Sequence, residues 1–458
     1  MKKIYLLILA GIGVFASCKK DNSVKMNNPM GNKKLDTLQG SITKDMTLDP
    51  SKNYFLKGQV YVKNNATLTI PAGITVYAQA NAERSAKSVL MITQGSKLNI
   101  NGSVDNPVVF TSAAATKAPG DWGAIILLGK APANVGVGHV AGLPITADTQ
   151  YGGQVANDNS GTITYLRLEY TGGINPPAED EWAEDKASGL VMAGVGTGTK
   201  IDNVMVKYSN DDSFQFVGGT VNATHLISYN CGDDDFDFDL GYEGHLQFLV
   251  GYRTHASSQT LRANGFESYN DSVPTSNTPY TRPVVSNMTI IGPQGIDATK
   301  TNINQGVYMR KGTRLALRNS IVAEYSEGAF MVCPRTRPLI LNDDNAEFRS
   351  NLVEADTLAR TFCFDQDVKG VFADPVLTAF ETNAVNKNVV IATSADMKLM
   401  GMYSSTGAPD LRPANDSPAL TGADFTGTDF SDAFFTQVSY RGALSDNWAA
   451  QSNWADWR

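Results

Sequence analysis

Charge is scarce in this chain: 18% of its 458 residues are Asp, Glu, Lys or Arg, and acids outnumber bases 46 to 38. The formal charge of −8 excludes nucleic-acid binding led by phosphate contacts, which needs a surplus of Lys and Arg. Four cysteines are too few for a disulfide-built scaffold. The four histidines, at 139, 225, 245 and 255, are too scattered for a transition-metal centre. No long stretch carries a 3.6-residue apolar period, so helices contribute little. G-x-S-x-G, P-loop and dinucleotide fingerprints are missing, and GVGTGTK at 194–200 reads as a turn. A 42% hydrophobic share is too high for a disordered chain and too low for a multi-span membrane protein. A large, soluble, acidic, β-rich protein remains.

Residues 1–17, MKKIYLLILAGIGVFAS, place Lys2 and Lys3 before an apolar run too short to span a bilayer as a mature helix, the pattern of a secretory signal. The run ends in Phe15-Ala16-Ser17-Cys18, which resembles a bacterial lipoprotein processing box with Cys18 as the lipidated residue. Several acyl chains, at about 0.8 kcal/mol per buried CH₂, make a stable anchor. Removing 17 residues and two lysines leaves 441 residues with a formal charge of −10. Residues 18–40 read as the lipidated cysteine and a flexible tether. Lys19-Lys20-Asp21 resembles the short charged signals that send Bacteroidota lipoproteins to the cell surface. The expected location is the outer membrane, facing outward, with a periplasm-facing orientation as the alternative.

From about residue 55 the chain is a series of short β-type segments punctuated by Gly, Asn and Asp. VMVKYSNDDSFQF (204–216) and HLISYNCGDDDFDF (225–238) align with Tyr208 over Tyr229, Phe214 over Phe236 and Phe216 over Phe238, a step of 21–22 residues. NSIVAEYSEGAF (319–330) is a third copy. That step matches one turn of a parallel β-helix, whereas propeller blades need about 40–50 residues. Alternation turns Phe236, Phe238 and Leu240 inward and Asp235, Asp237 and Asp239 outward. The fold class is therefore all-β: a single-stranded right-handed parallel β-helix over 41–442, with long loop insertions. Residues 443–458, rich in Trp, are expected to cap its open end against edge pairing.

LTIPAGITV (68–76), LMITQGSKLNINGSVDNPVVFTSA (90–113), GDWGAIILLGKAP (120–132), FVGGTVNATHLISY (216–229) and DDDFDFDLGYEGHLQF (233–248) together resemble a family of Bacteroidota secreted and lipoprotein right-handed β-helix proteins. The resemblance implies the fold more than a chemistry. A narrower one lies around the acidic segments. Asn210-Asp211-Asp212, Asp233-Asp234 and Gly244-His245 are similar in order to the acidic and Gly-His motifs of polygalacturonases. Here the middle Thr of that pattern is Asp211, Leu246 follows His245, and the Arg-x-Lys is absent.

A 22-residue step sets Asp211 over Asp233 and Asp212 over Asp234, with carboxylates about 5 Å apart on adjacent rungs. Like charges that close share a proton or hold a cation. Three readings follow. Asp212 and Asp234, with His245, can supply acid and base for glycoside hydrolysis. Asp211, Asp233 and Asp235 can bind Ca²⁺. Alternatively, the acids are a solvated ladder bonding local backbone at coil turns. Trp182, in the acidic insertion AEDEWAED (178–185), together with Asp237, Asp239 and Arg253, are candidate ligand contacts. A lyase would need Arg253, Arg262 or Arg310 as its base. Cys333 and Cys363 can pair, leaving Cys231 free. The expected function is binding of an extended glycan or docking on an outer-membrane protein. The alternatives are a polysaccharide hydrolase or lyase, and a purely structural envelope protein.

Overall fold

The computed structural model describes residues 33–458 except 82–86, 141, 174–187, 255–262, 272–275, 294–302, 344, 366–370 and 405–407. The signal segment, Cys18, Trp182, His255 and Arg262 therefore lie outside the described residues. Lys33–Arg458 forms one compact unit.

Among the described residues, twenty-seven strands join in one sheet, and nearly all pair in parallel with the strand one coil away. Each coil has three faces. Face A carries Leu190–Ala193, Phe214–Val217, Phe236–Asp239, Phe266–Tyr269 and Gln305–Arg310. Faces B and C are the two halves of the longer strands Lys200–Lys207, Asn222–Tyr229, His245–Tyr252 and Val284–Ile291. A single left-handed residue bends each long strand: Asn203, His225, Phe248 and Asn287, with φ from 53° to 61°. That conformation costs roughly 1–2 kcal/mol for an L-residue. Stacking of equivalent bends offsets it, as where the His225 and Phe248 rings lie 5.1 Å apart.

One inward column on face A runs Val60, Leu90, Ile125, Leu190, Phe214, Phe236, Phe266, Val307, Phe330 and Phe362. The predicted Phe214–Phe236 and Phe216–Phe238 pairs are in register, their rings 5.3 and 4.8 Å apart. Phe330 of the third copy stands in the same column. Tyr208 does lie against Tyr229, with tilted rings 5.5 Å apart, but Lys207 is the residue in register with it. The step is thus 22 residues, with Tyr208 just beyond the strand in a left-handed bend.

Both ends of the stack differ from expectation. Strand Lys34–Ile42 already pairs with Lys52–Val62, so the first coil begins inside the expected tether. The last parallel pairing joins Leu352–Val353 to Val389–Val390. Before that final strand, helix Pro375–Glu381, capped by the Asp374 side chain, places Leu377 in the core.

The Trp-rich segment does not cover an end. It runs back along face C, where Trp457 packs on Tyr229 and Tyr252, Trp448 on His225 and Trp454 on Tyr165. Its backbone is tied down at each coil it passes. Gly442 N–H donates to Asn319 O, Ala443 N–H to Thr289 Oγ1, and Lys207 Nζ to Asp456 O and Arg458 O. The physical reason is the outward column beneath it: Met205, Ile227, Val250, Ile321 and Leu352 are apolar and need covering.

Candidate functional site

The acidic segments meet at the corner between faces C and A. There the chain leaves Lys200–Lys207 and Asn222–Tyr229 and turns into Phe214–Val217 and Phe236–Asp239. Asx side chains hold this corner. Asp212 Oδ1 accepts from Asp234 N–H at 2.9 Å, Asp234 Oδ1 from Asn264 N–H at 2.6 Å, and Asn264 Oδ1 from Gln305 N–H at 3.3 Å. Each carboxylate or amide thus satisfies a backbone donor of the next coil that the sheet leaves over. Asp212 Oδ2 also accepts from Ser188 Oγ at 3.0 Å.

Two carboxylate triads sit side by side. Oxygens of Asp211, Asp212 and Asp233 lie within 4.8 Å of one another, as do those of Asp234, Asp237 and Glu267. Asp237 and Glu267 share the outward column of face A with Gln215 and Tyr308. All are buried except Asp233, which is partly exposed. Burial pushes the Asp234 carboxyl well above the usual carboxylate range, and the charges of Glu267, Asp233, Asp212 and Asp237 push it further. This corner therefore favours a held proton or a cation. The oxygen-only donor set fits a hard ion such as Ca²⁺.

A basic and aromatic group follows on the next coil. Arg310 pairs with Glu267, and its guanidinium lies 5.9 Å from the Tyr269 ring centre and 5.3 Å from that of Tyr308. Tyr269 Oη donates to Asp239 at 2.8 Å, and Tyr308 Oη to Asp365 at 2.5 Å. Desolvation raises the Tyr308 phenol far above its ordinary value, so it remains a donor.

Four expected roles change. Asp235 does not point outward to a cation. It turns into the corner and accepts from Ser228 Oγ at 2.6 Å, from the Cys231 thiol at 3.2 Å and from Arg253 Nε at 3.3 Å. Arg253 is not a ligand contact or an accessible base, being 1% exposed. It donates to the carbonyls of Cys231, Asp233 and Asn264. Burial works against its charge, but Asp235, Cys231, Tyr325 and Asp234 together outweigh that and raise its pKa. His245 lies on face B, beside Phe434, Phe435 and Asp432, away from the carboxylate corner. Burial lowers its pKa. Cys333 and Cys363 are free thiols, because Cys363 faces Met331 in the register. Burial lifts the Cys363 thiol to about 12.

Asp237 and Asp239 do lie on the outward side of face A, as alternation required, but they are buried rather than solvated. Glu267 and Asn264 were missed because an insertion stretches the step from Asp234 to Asn264 to 30 residues. Gly265-Phe266-Glu267 set beneath Asp235-Phe236-Asp237 was the available signal.

Stacked parallel coils with a carboxylate-rich outer corner define a parallel β-helix of the pectate-lyase type. The pectate-lyase-like β-helix domain family matches residues 40–396, and the chain belongs to that family. No curated protein and no solved structure matches the chain.

Proposed function

We propose that this protein is an outer-membrane lipoprotein, anchored through Cys18 and facing outward, whose right-handed β-helix binds an extended glycan along face A with the help of Ca²⁺. The observation that carries the reading is the pair of adjacent carboxylate triads beside Arg310, Tyr269 and Tyr308. Asp234, Asp237 and Glu267 would hold the ion, with Asp211, Asp212 and Asp233 as the second set. A bound cation supplies positive charge at which acidic sugar groups can dock. Arg310 and the tyrosines orient hydroxyls or carboxylates on the next rung. Family membership supports a carbohydrate ligand, and the fold alone would not.

A second reading is hydrolysis. Raised-pKa Asp234 is placed to give a proton while Asp212, which accepts from the Asp234 backbone N–H, acts as its partner. As a lyase base, Arg310 is the one of the three named arginines that the described residues place on face A.

Calorimetric titration with Ca²⁺ tests the site, followed by binding of acidic and neutral polysaccharides and assay for new reducing or unsaturated ends. Saturable Ca²⁺ binding, lost in Asp237→Asn and Glu267→Gln, and Ca²⁺-dependent glycan binding without new ends would support the binder. New ends lost in Asp212→Asn and Asp234→Asn would make it an enzyme. Failure to bind either Ca²⁺ or glycan would overturn both readings.

A further inference from the structure

Charge is segregated along the chain. Residues 33–130, which build the first coils up to strand Ile125–Leu128, hold 11 Lys and Arg against 6 Asp and Glu, a balance of +5. Residues 131–458 hold 22 against 39, a balance of −17. The net charge of −8 conceals this split.

Several bases of the first coils are displayed. Lys34, Lys44 and Lys57 are exposed and Lys97 is half-buried. Lys34 stands beside Lys52 in the register. Several acids among them are engaged: Asp36 with Lys52, Asp45 with Thr67 N–H and Asp49 with Ser51. Large apolar side chains are exposed on the same first coil, Leu35 at 41% and Met46 at 42%. Exposed lysines together with exposed apolar residues on the first coil match a headgroup layer, where ammonium groups meet phosphates and apolar tips enter the acyl boundary.

We infer that the first coils form a docking surface for an anionic lipid bilayer, and that the acidic remainder is held away from it by repulsion. A field with opposite signs at two ends orients a molecule as well as attracting it. The surface would stand the β-helix upright and keep face A clear of the membrane. The inference rests on the envelope placement proposed above, because a lipid on Cys18 would bring this end to the bilayer.

The test uses residues 19–458, which contain the whole compact unit and no acyl chain. Flotation with phosphatidylglycerol–phosphatidylethanolamine vesicles is compared with flotation on phosphatidylcholine alone. Binding only to the anionic vesicles, abolished by raised salt and reduced about tenfold in Lys34→Glu/Lys44→Glu/Lys57→Glu, is the expected result. The charge-matched Lys200→Glu/Arg360→Glu/Lys398→Glu variant should bind as the parent does, and circular dichroism checks that both are folded. Equal binding to both vesicles, no binding, or capture by heparin without vesicle binding would each overturn the inference. Acyl labelling of the full chain and of Cys18→Ala reads the anchor separately. Label on Cys18 without vesicle binding would sink only the docking surface, and vesicle binding without label would sink only the anchor.

Discussion

Faces A and C of the same coils carry outward columns of opposite character. On face C the column reads Met205, Ile227, Val250, Thr289, Ile321 and Leu352. On face A, over neighbouring coils, it reads Gln215, Asp237, Glu267 and Tyr308. Both are buried, and the inward residues beneath both are mostly apolar, Ser228 and Ser268 being exceptions. The face C column is explained by the chain itself, since the C-terminal segment lies on it and removes it from water. The face A column instead crowds carboxylates in a low-dielectric corner, which costs free energy. An outward apolar column thus marks where the protein folds back on itself. An outward acidic one is where the proposed ligand site lies.

The largest way to break this contrast lies at the corner between the faces. Arg253→Ala leaves Asp235 buried without its counter-charge and should cost about 3–5 kcal/mol by chemical denaturation. Asp235→Ala combined with Arg253→Met should restore part of that. On face C, Trp457→Ala should cost about 3 kcal/mol and increase binding of a hydrophobic dye, as Tyr229 and Tyr252 lose their cover. On face A the sign should reverse. Asp237→Leu should raise stability by about 1 kcal/mol, relieving repulsion, while weakening Ca²⁺ binding.

A pH series sharpens the same difference. The folded-state pKa of Asp234 is raised above its ordinary value, so the folded state binds the proton more tightly than the unfolded chain. Its contribution is fully present below about pH 4, the ordinary carboxylate value. Stability is then lost as pH climbs towards the raised value. Denaturation midpoints measured across that window should fall in the parent and flatten in Asp234→Asn. Smallest of all, Asp36→Asn removes an exposed pair with Lys52 and should leave the midpoint unchanged.

Much of this was legible in the order of residues. Phe214 above Phe236 and Phe216 above Phe238 follow from period-2 alternation and a 22-residue step, and both are local patterns. Asp212 above Asp234 was legible for the same reason. Glu267 was not, because an insertion breaks the step just before it. Asp235 and Arg253 are 18 residues apart on different faces, and only the closing of the corner brings them within 3.3 Å. His245 carried the right neighbours in sequence, but its position at the start of a face B strand takes it away from the carboxylates.

The sequence by itself determined the parallel β-helix, its period, the inward aromatic column and the stacking of the acidic segments. Repetition writes those contacts one coil apart along the chain. Only the tertiary structure decided that the tryptophans line a flank instead of an end, that Arg253 is consumed by Asp235, and that Glu267 completes the second triad. Those contacts join segments whose separation follows no period, and burial selects them once the coils are already stacked.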